Sequence, residues 1–399
     1  MLWCLALLST AAVVALAPSG RAADDPATIF VNALAVQDDG KIVAAGTSNI
    51  GGLLDFAALR FNSDGSPDTG FGDGGKVVTD LGTDQDIASD VAIQSDGKIV
   101  VVGRTFAPGG GSFAVARYQT DGTRDSSFGD DGLVTTNLGG SFDGASAAVV
   151  QDDGKLVVAG AHDVLDGLYL ESALIRYNAD GTLDTSFDGD GSVTTPLGYA
   201  GAGAVALQRD GKIVAAGFSG HLQAGEFAVW RYNADGSVDA GFGSDGVVLT
   251  QFAPGDFQSA SAVAIQKNGR IVVAGLREDE SFNTDFALAR YTRDGSLDPQ
   301  FGTGGKVTAD FGGREAIGDI ALQRNGEIVA SGDKLVRYDS HGSLDPSFGD
   351  DGLVNAAAGA VAIQGDWKIV TAGGVEIARY NRDGSPDTGF GDGGKVTIG

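Results

Sequence analysis

The sequence predicts an all-β fold, a seven-bladed β-propeller with four antiparallel strands in each blade. Three observations predict it: one unit recurs seven times, tight-turn glycines separate short apolar runs throughout, and no unit can bury its own apolar faces. The chain has 399 residues, 42% of them hydrophobic, with 64 Gly and a single Met. That composition suits many short strands joined by turns.

The repeat is anchored by a Gln that closes an apolar stretch, at Gln37, Gln94, Gln151, Gln208, Gln266, Gln323 and Gln364. Three residues later stands a turn glycine, Gly40, Gly97, Gly154, Gly211, Gly269 and Gly326, with Trp367 in the seventh copy. Asp-Gly between two apolar runs predicts a hairpin with a type I′ turn. The second strand, as in Lys98 to Gly103, is apolar at consecutive positions, the pattern of a strand covered on both faces. A third strand, as in Phe113 to Tyr118, ends in Arg and an aromatic. A short fourth, such as Val77 to Thr79, completes the unit. Such a sheet must stack on copies of itself, and radial closure leaves only short edges, whereas a linear solenoid would not need two hairpins per repeat. The expected blades span roughly 31–80, 88–137, 145–195, 202–250, 260–309, 317–355 and 358–399, within one domain from residue 24. First and last copies begin and end in phase, so closure by side-chain packing is expected, with some added pairing from Ile29 to Val31.

After each Arg the spacing is constant: Gly at +5, Asp at +8 and Phe at +11. An Arg on a buried blade face needs a carboxylate, so the spacing predicts seven clamps. They are Arg60 with Asp68, Arg117 with Asp125, Arg176 with Asp184, Arg231 with Asp239, Arg290 with Asp298, Arg337 with Asp345, and Arg379 with Asp387. Phe at +11 is expected to wedge between blades. The Asp-rich runs from Asn178 to Asp184 and from Asp188 to Gly191 also allow calcium as a cofactor. They supply fewer spaced oxygens than an EF-hand loop needs, and otherwise no cofactor is expected.

In an up-down blade the turn between strands one and two and the connector between three and four share one face, which here is nearly constant. The opposite face varies: Gln-to-Arg spacing is 23 in blades one, two and four, 25 in three, 24 in five, and only 14 and 15 in the last two. Variable loops on a rigid scaffold are where binding resides. His162 and Asp163 in blade three and His221 and Glu226 in blade four are the candidate metal ligands on that face; ordinary exposed loop residues are the competing account. The sequence has no G-x-S-x-G, HExxH, P-loop or Cys/His pair, so no catalytic residues are assigned.

Residues 1–23 read as a signal peptide: an apolar run from Leu2 to Ala17, then Pro18, Ser19, Gly20 and small residues. The one cysteine, Cys4, lies within it, so disulfides are not expected. These features predict a secreted protein, extracellular or periplasmic, without a membrane span. With 27 basic and 53 acidic residues the net charge is −26, which disfavours nucleic acid and anionic membranes as partners.

The pattern Q-x-[DN]-G-[KR]-I-V followed by A-R-Y-x-x-D-G-[ST]-x-D-x-x-F-G resembles the delta-60 repeat of bacterial secreted proteins, with Val91 to Val102 and Ala114 to Gly132 matching closely. The resemblance implies a β-propeller repeat of unsettled function and brings no catalytic residues. Trp367, Glu327, His341 and the shortened last two copies depart from it. The expected function is a non-enzymatic, monomeric scaffold that binds a ligand, polysaccharide or protein through the variable loops. A metal-dependent hydrolase or lyase in the central channel and a calcium-stabilised structural module are the alternatives.

Overall fold

The computed structural model describes residues 28–83, 85–107, 110–164, 169–220 and 225–398. The expected leader and His221 lie outside these residues. Seven four-stranded antiparallel sheets follow one another, each in the order one-two-three-four, so the architecture is a seven-bladed propeller. The first blade is Thr28–Val36, Ile42–Ile50, Leu53–Phe61 and Lys76–Thr79. Inner strands of the following blades begin at Asp86, Gly144, Ala200, Phe257, Ile317 and Ala360.

Strand two is buried on both faces, as its continuous apolar run requires: Ile99 to Val102 and Ile213 to Ala216 are at most 1% exposed. The described apolar residues therefore form seven main cores, each between consecutive blades, and a small eighth cluster of Ala161, Leu170 and Phe218 between blades three and four. Val101, Ala114 and Tyr118 of blade two pack against Val43, Phe56 and Phe71 of blade one. Their strand neighbours Val100, Val102 and Val115 pack the other way, against Leu156 and Ile175 of blade three. Period-two alternation thus sends neighbouring residues into different cores. The seventh core joins Ile377 and Phe390 to Ile29, Ile42 and Leu59 and closes the ring.

The expected type I′ turn is corrected. In the first hairpin only Gly40 has positive φ (+83°), Gly40 N–H donates to the Gln37 carbonyl at 2.9 Å, and Gln37 N–H donates to Lys41. This is a type I turn followed by a left-handed residue, because the loop is one residue longer than a two-residue hairpin. Trp367 holds the same position with φ +73°.

Strand one carries a register shift in blades one to six, leaving Asn32, Ser89, Ser146, Gly203, Ser261 and Gly318 as unpaired bulge residues. The bulge brings the strand-one backbone onto the strand-two glycine. A Cβ on Gly103 would lie 2.0 Å from the Ile87 carbonyl oxygen, which explains the glycine that closes the apolar run of strand two in blades one to six. The bulges bend strand one and turn these residues to the axis, where they line the central channel.

Candidate functional site

The constant face is occupied by its own bonding. In all seven blades the Arg side chain and the Asp eight residues later lie 2.6 to 2.8 Å apart. Each guanidinium lies over the Phe at +11, 4.3 to 4.7 Å from the ring centroid. Its Nη1 donates to a backbone carbonyl of the next blade, Arg60 to Thr120 and Arg117 to Ala179 among them. Phe71, Phe128 and their counterparts press on the connector glycine of the next blade: a Cβ on Gly122 would meet Phe71 at 3.0 Å.

Sequence reasoning missed a second cation on six of the seven clamps; in blade six Glu327 stands at that position instead and lies 3.7 Å from Arg337. Lys41, Lys98, Lys155, Lys212, Arg270 and Lys368, which immediately precede strand two, reach the clamp Asp at 2.8 to 3.2 Å. The signal was present as the [KR] after the turn residue, but it lies 19 to 29 residues from its partner. Burial alone would raise the Asp125 carboxyl. The Ser127 hydroxyl and amide, Lys98 and the charge of Arg117 hold it well below the usual carboxylate range instead. Asp180 and Asp190, read as possible calcium ligands, accept hydrogen bonds from Thr182 and Ser192 two residues on, closing local turns.

His162 and Asp163 lie on strand two of blade three, and Glu226 opens strand three of blade four. They are not gathered into one cluster. His162 Nδ1 is 2.8 Å from Asp143 Oδ1, and Asp143 also accepts the backbone N–H groups of Leu138, Gly140 and Asp163. Asp143 thereby holds the loop that crosses from blade two to blade three. Asp86 and Glu315 do the same in the loops after blades one and five, accepting from Leu81 and Phe311.

Among the described residues, exposed large apolar side chains stand on both faces: Leu183, Val238 and Leu344 in the constant connectors, and a further set on the variable face. Ile50, Leu53, Tyr169 and Phe282 crown the loops between strands two and three, and Phe142 stands in the loop after blade two. Phe282 is 71% exposed with φ +62°, held in that conformation by bonds between the Asp279 backbone and the Phe282 and Asn283 backbones. On the same face Arg104 is largely buried, and its Nε has no hydrogen-bond partner among the described residues. Its guanidinium carbon is 5.6 Å from the Phe106 ring centroid, and Phe106 meets Phe142 edge-on at 6.2 Å. Burial lowers the Arg104 pKa from its ordinary value.

The channel encloses a cavity of about 230 Å³ lined by Ser89, Ser146, Ser261, Asp90 and Asp319. The last two were not anticipated, and the candidate histidine His162 is not among its lining residues. Asp90 accepts Ala148 N–H at 2.8 Å and Asp319 accepts Val361 N–H at 3.0 Å, each tying its blade to the inner strand of the next. Burial pushes Asp90 up to about 6 and, with Asp90's charge adding to it, Asp319 up to about 7.

The fold has solved counterparts at low identity. The extracellular domain of a one-component system from B. thetaiotaomicron is 14% identical over 90% of this chain, with a TM-score of 0.49; this chain spans 39% of its length. Virginiamycin B lyase from Staphylococcus aureus, solved with quinupristin, is 12% identical over 89% of this chain and 94% of its own, with a TM-score of 0.47. Sqt1 from Chaetomium thermophilum is 10% identical over 94% of this chain and 87% of its own, with a TM-score of 0.50. No curated protein matches the chain. The family described as "Domain of unknown function (DUF5122) beta-propeller" matches residues 37–71, 94–128, 151–187, 208–242, 266–301, 323–348 and 364–390, every repeat from its Gln to its Phe. With seven matches that together cover more than half of its length, the chain belongs to the DUF5122 β-propeller family.

Proposed function

We propose that this protein is a secreted, non-enzymatic scaffold that binds a polymer or protein segment on its variable-loop face. The observation that carries the reading is Arg104. A largely buried guanidinium is costly without an anionic partner. In a chain with 53 acidic residues, Arg104 still lacks one among those described. Phe106 and Phe142 beside it offer apolar surface, and Ile50, Leu53, Tyr169 and Phe282 extend that surface around the rim. The chemistry fits a ligand that presents an isolated carboxylate next to an apolar or planar face. A polyanion would be repelled by the net charge of −26. The constant face has its polar groups engaged in clamps, which leaves recognition to the loops. The apolar segment from Leu2 to Ala17 supports export.

The test is a glycan array together with an array of peptides bearing free C-terminal carboxylates, probed with the labelled protein. Binding of carboxylate-bearing members that Arg104→Gln weakens at least tenfold, with unchanged melting temperature, is the expected result. Binding that survives in Arg104→Gln, or no carboxylate-bearing binder on either array, overturns the reading.

A further inference from the structure

A cleft of about 510 Å³ opens on the constant face between blades five and six. Lys267 and Asn268 of the blade-five turn line it on one side, and Arg324, Asn325 and His341 of blade six on the other. No Asp or Glu is among its lining residues, although the chain has 53 of them. The equivalent positions between blades one and two are Asp38, Asp39, Ser95, Asp96 and Asp121, four of them carboxylates. The repeat thus supplies its own reference, with one backbone carrying an acidic rim in one place and a basic rim in another.

The change of charge leaves the bonds of the fold in place. Asp39 Oδ1 accepts the Lys41 amide at 3.1 Å, and Asn268 Oδ1 accepts the Arg270 amide at 3.0 Å. That turn position needs only an acceptor, so asparagine keeps the bond, drops the charge and adds an N–H donor. In the connector of blade one, Asp64 accepts the Ser66 amide at 2.9 Å. In blade six Asp339 accepts the amides of His341 and Ser343 instead, at 2.7 and 3.0 Å, so position 341 is released from capping its own turn.

Lys267 and Arg324 are exposed, and neither is ion-paired among the described residues. The Arg324 guanidinium carbon lies 5.3 Å from the Trp367 ring centroid, a contact that steadies its charge at the rim. Arg270 and Arg290, which also line the cleft, share the single carboxylate of Asp298 at 2.9 and 2.8 Å and so keep a net positive charge beneath it. A planar carboxylate is met best by one bidentate guanidinium. Here full charges come from two sides, with amide donors between them, which suits an anion whose oxygens diverge. A phosphate monoester has three such oxygens and a charge of about −1.5 to −2 at pH 7. The net charge of −26 opposes long polyanions, but beyond about 8 Å it is screened at physiological ionic strength, so a single ester group responds to the local cations.

We infer that the cleft between blades five and six binds a phosphate monoester carried on a small polar ligand, with Lys267 and Arg324 as its charged contacts and Asn268 and Asn325 as neutral donors. The cleft lies on the face opposite Arg104, at a stretch where the repeat departs from its pattern, and the inference does not depend on the ligand reading of that residue.

The test is isothermal titration of the whole protein with inorganic phosphate and with glucose 6-phosphate at constant ionic strength, with glucose and glucuronate as parallel titrants. One saturable phosphate site per chain is expected, with glucose inert and glucuronate at least about tenfold weaker. Lys267→Gln and Arg324→Gln should each weaken phosphate binding about tenfold, because each removes one of the two full charges at the rim. Asn325→Asp restores the residue that stands at this place in blades one to four, so it should fold with an unchanged melting temperature and also weaken binding. Arg209→Gln removes the exposed cation at the position equivalent to Lys267 in blade four, outside the cleft, and should leave binding unchanged. Absence of saturable binding by both phosphate titrants overturns the inference. Glucuronate binding as tightly as glucose 6-phosphate would also overturn it, as would a loss in Arg209→Gln equal to that in Lys267→Gln, which would assign the effect to general surface charge.

Discussion

The guanidinium of Arg379, in the last blade, donates to the backbone carbonyl of Ser63 in the first, the same bond that Arg60 makes to Thr120 one blade on. Gly391 N–H likewise donates to the Asp64 carbonyl at 2.9 Å, as Gly72 does to Asp121. The seam is therefore one more copy of the ordinary interblade contact. Val31 N–H adds a bond to the Gly374 carbonyl at 2.7 Å, the pairing expected of Ile29 to Val31. With both ends in phase, no strand has to be exchanged between the first and last blades.

The clamps predict a large penalty for removing one carboxylate. Asp298 is 2% exposed and lies 2.8 Å from Arg290 and 2.9 Å from Arg270. Asp298→Ala leaves Arg290 buried without its partner, a change worth about 3–5 kcal/mol. Denaturant titration of the variant should show its midpoint falling accordingly. A loss below about 1 kcal/mol, the range of a surface ion pair, would remove the clamp as a support of the fold.

A defect in blade six offers a gain of stability. Tyr118, Tyr177 and Tyr291 bond their hydroxyls to Thr79, Thr136 and Thr250 on the fourth strand of the preceding blade, at 2.7 to 2.8 Å. Tyr338 is equally buried, but its hydroxyl has no partner among the described residues, and the position equivalent to those threonines is Ala309. Ala309→Thr should satisfy the hydroxyl and stabilise the protein by about 1 kcal/mol. Tyr338→Phe should gain a similar amount by removing the orphan, and Ala309→Thr added to it should gain nothing more. Additive gains in the double variant would show that the two residues do not meet.

Trp367 opposes two effects of similar size. Its left-handed backbone costs about 1–2 kcal/mol for a side chain with a Cβ. Against that, Arg324 and Arg382 lie over its ring at 5.3 and 5.9 Å, and exposed contacts of this kind contribute about 0.5–1 kcal/mol each. Trp367→Gly should stay within about 1 kcal/mol of the parent, because strain and stacking disappear together. Trp367→Ala keeps the strain and loses the stacking, so it should be less stable by about 1–2 kcal/mol. Equal losses in the two variants would show that the backbone at this position is not strained.

How much of this was legible in the sequence depended on distance along the chain. Arg117 and Asp125 are eight residues apart in a constant connector, so their pairing could be read from spacing. Lys155 and Asp184 are 29 apart across a loop of variable length, and that contact could not. The hairpin was legible at Gly40 but its turn type was not, since Asp-Gly serves two loop lengths and only the backbone shows which. The channel carboxylates were the least visible. In Ala88-Ser89-Asp90-Val91 the Asp looks like an outward polar residue of an alternating strand, and the bulge at Ser89 breaks that alternation and brings Asp90 to the axis. On the loop face, His162 drew notice as a ligand type, whereas its commitment to Asp143 depends on how the blade-two loop folds back.

Those channel carboxylates predict how stability responds to pH. Asp319 titrates at about 7 and Asp90 at about 6, against an ordinary value of 3.8, so the folded protein holds their protons more tightly than the unfolded chain. Between about pH 4 and pH 7 the native state thus binds more protons than the unfolded state at these two sites, and unfolding free energy falls as pH rises through that window. The clamp carboxylates act oppositely. Asp125 and Asp184 are held well below the ordinary value, so the stability they confer is present above about pH 4 and is lost as acid protonates them. The two groups together place the optimum on the acid side of neutrality. Asp319→Asn keeps an acceptor for Val361 N–H and mimics the protonated acid, so it should raise the melting temperature at pH 8 and leave it nearly unchanged at pH 4.5. Self-repulsion among the other carboxylates also weakens the protein as pH rises, but it acts on parent and variant alike. The difference between their melting curves across pH 4.5 to 8 therefore isolates Asp319, and a difference that does not grow with pH would show that its carboxyl ionises normally in the channel.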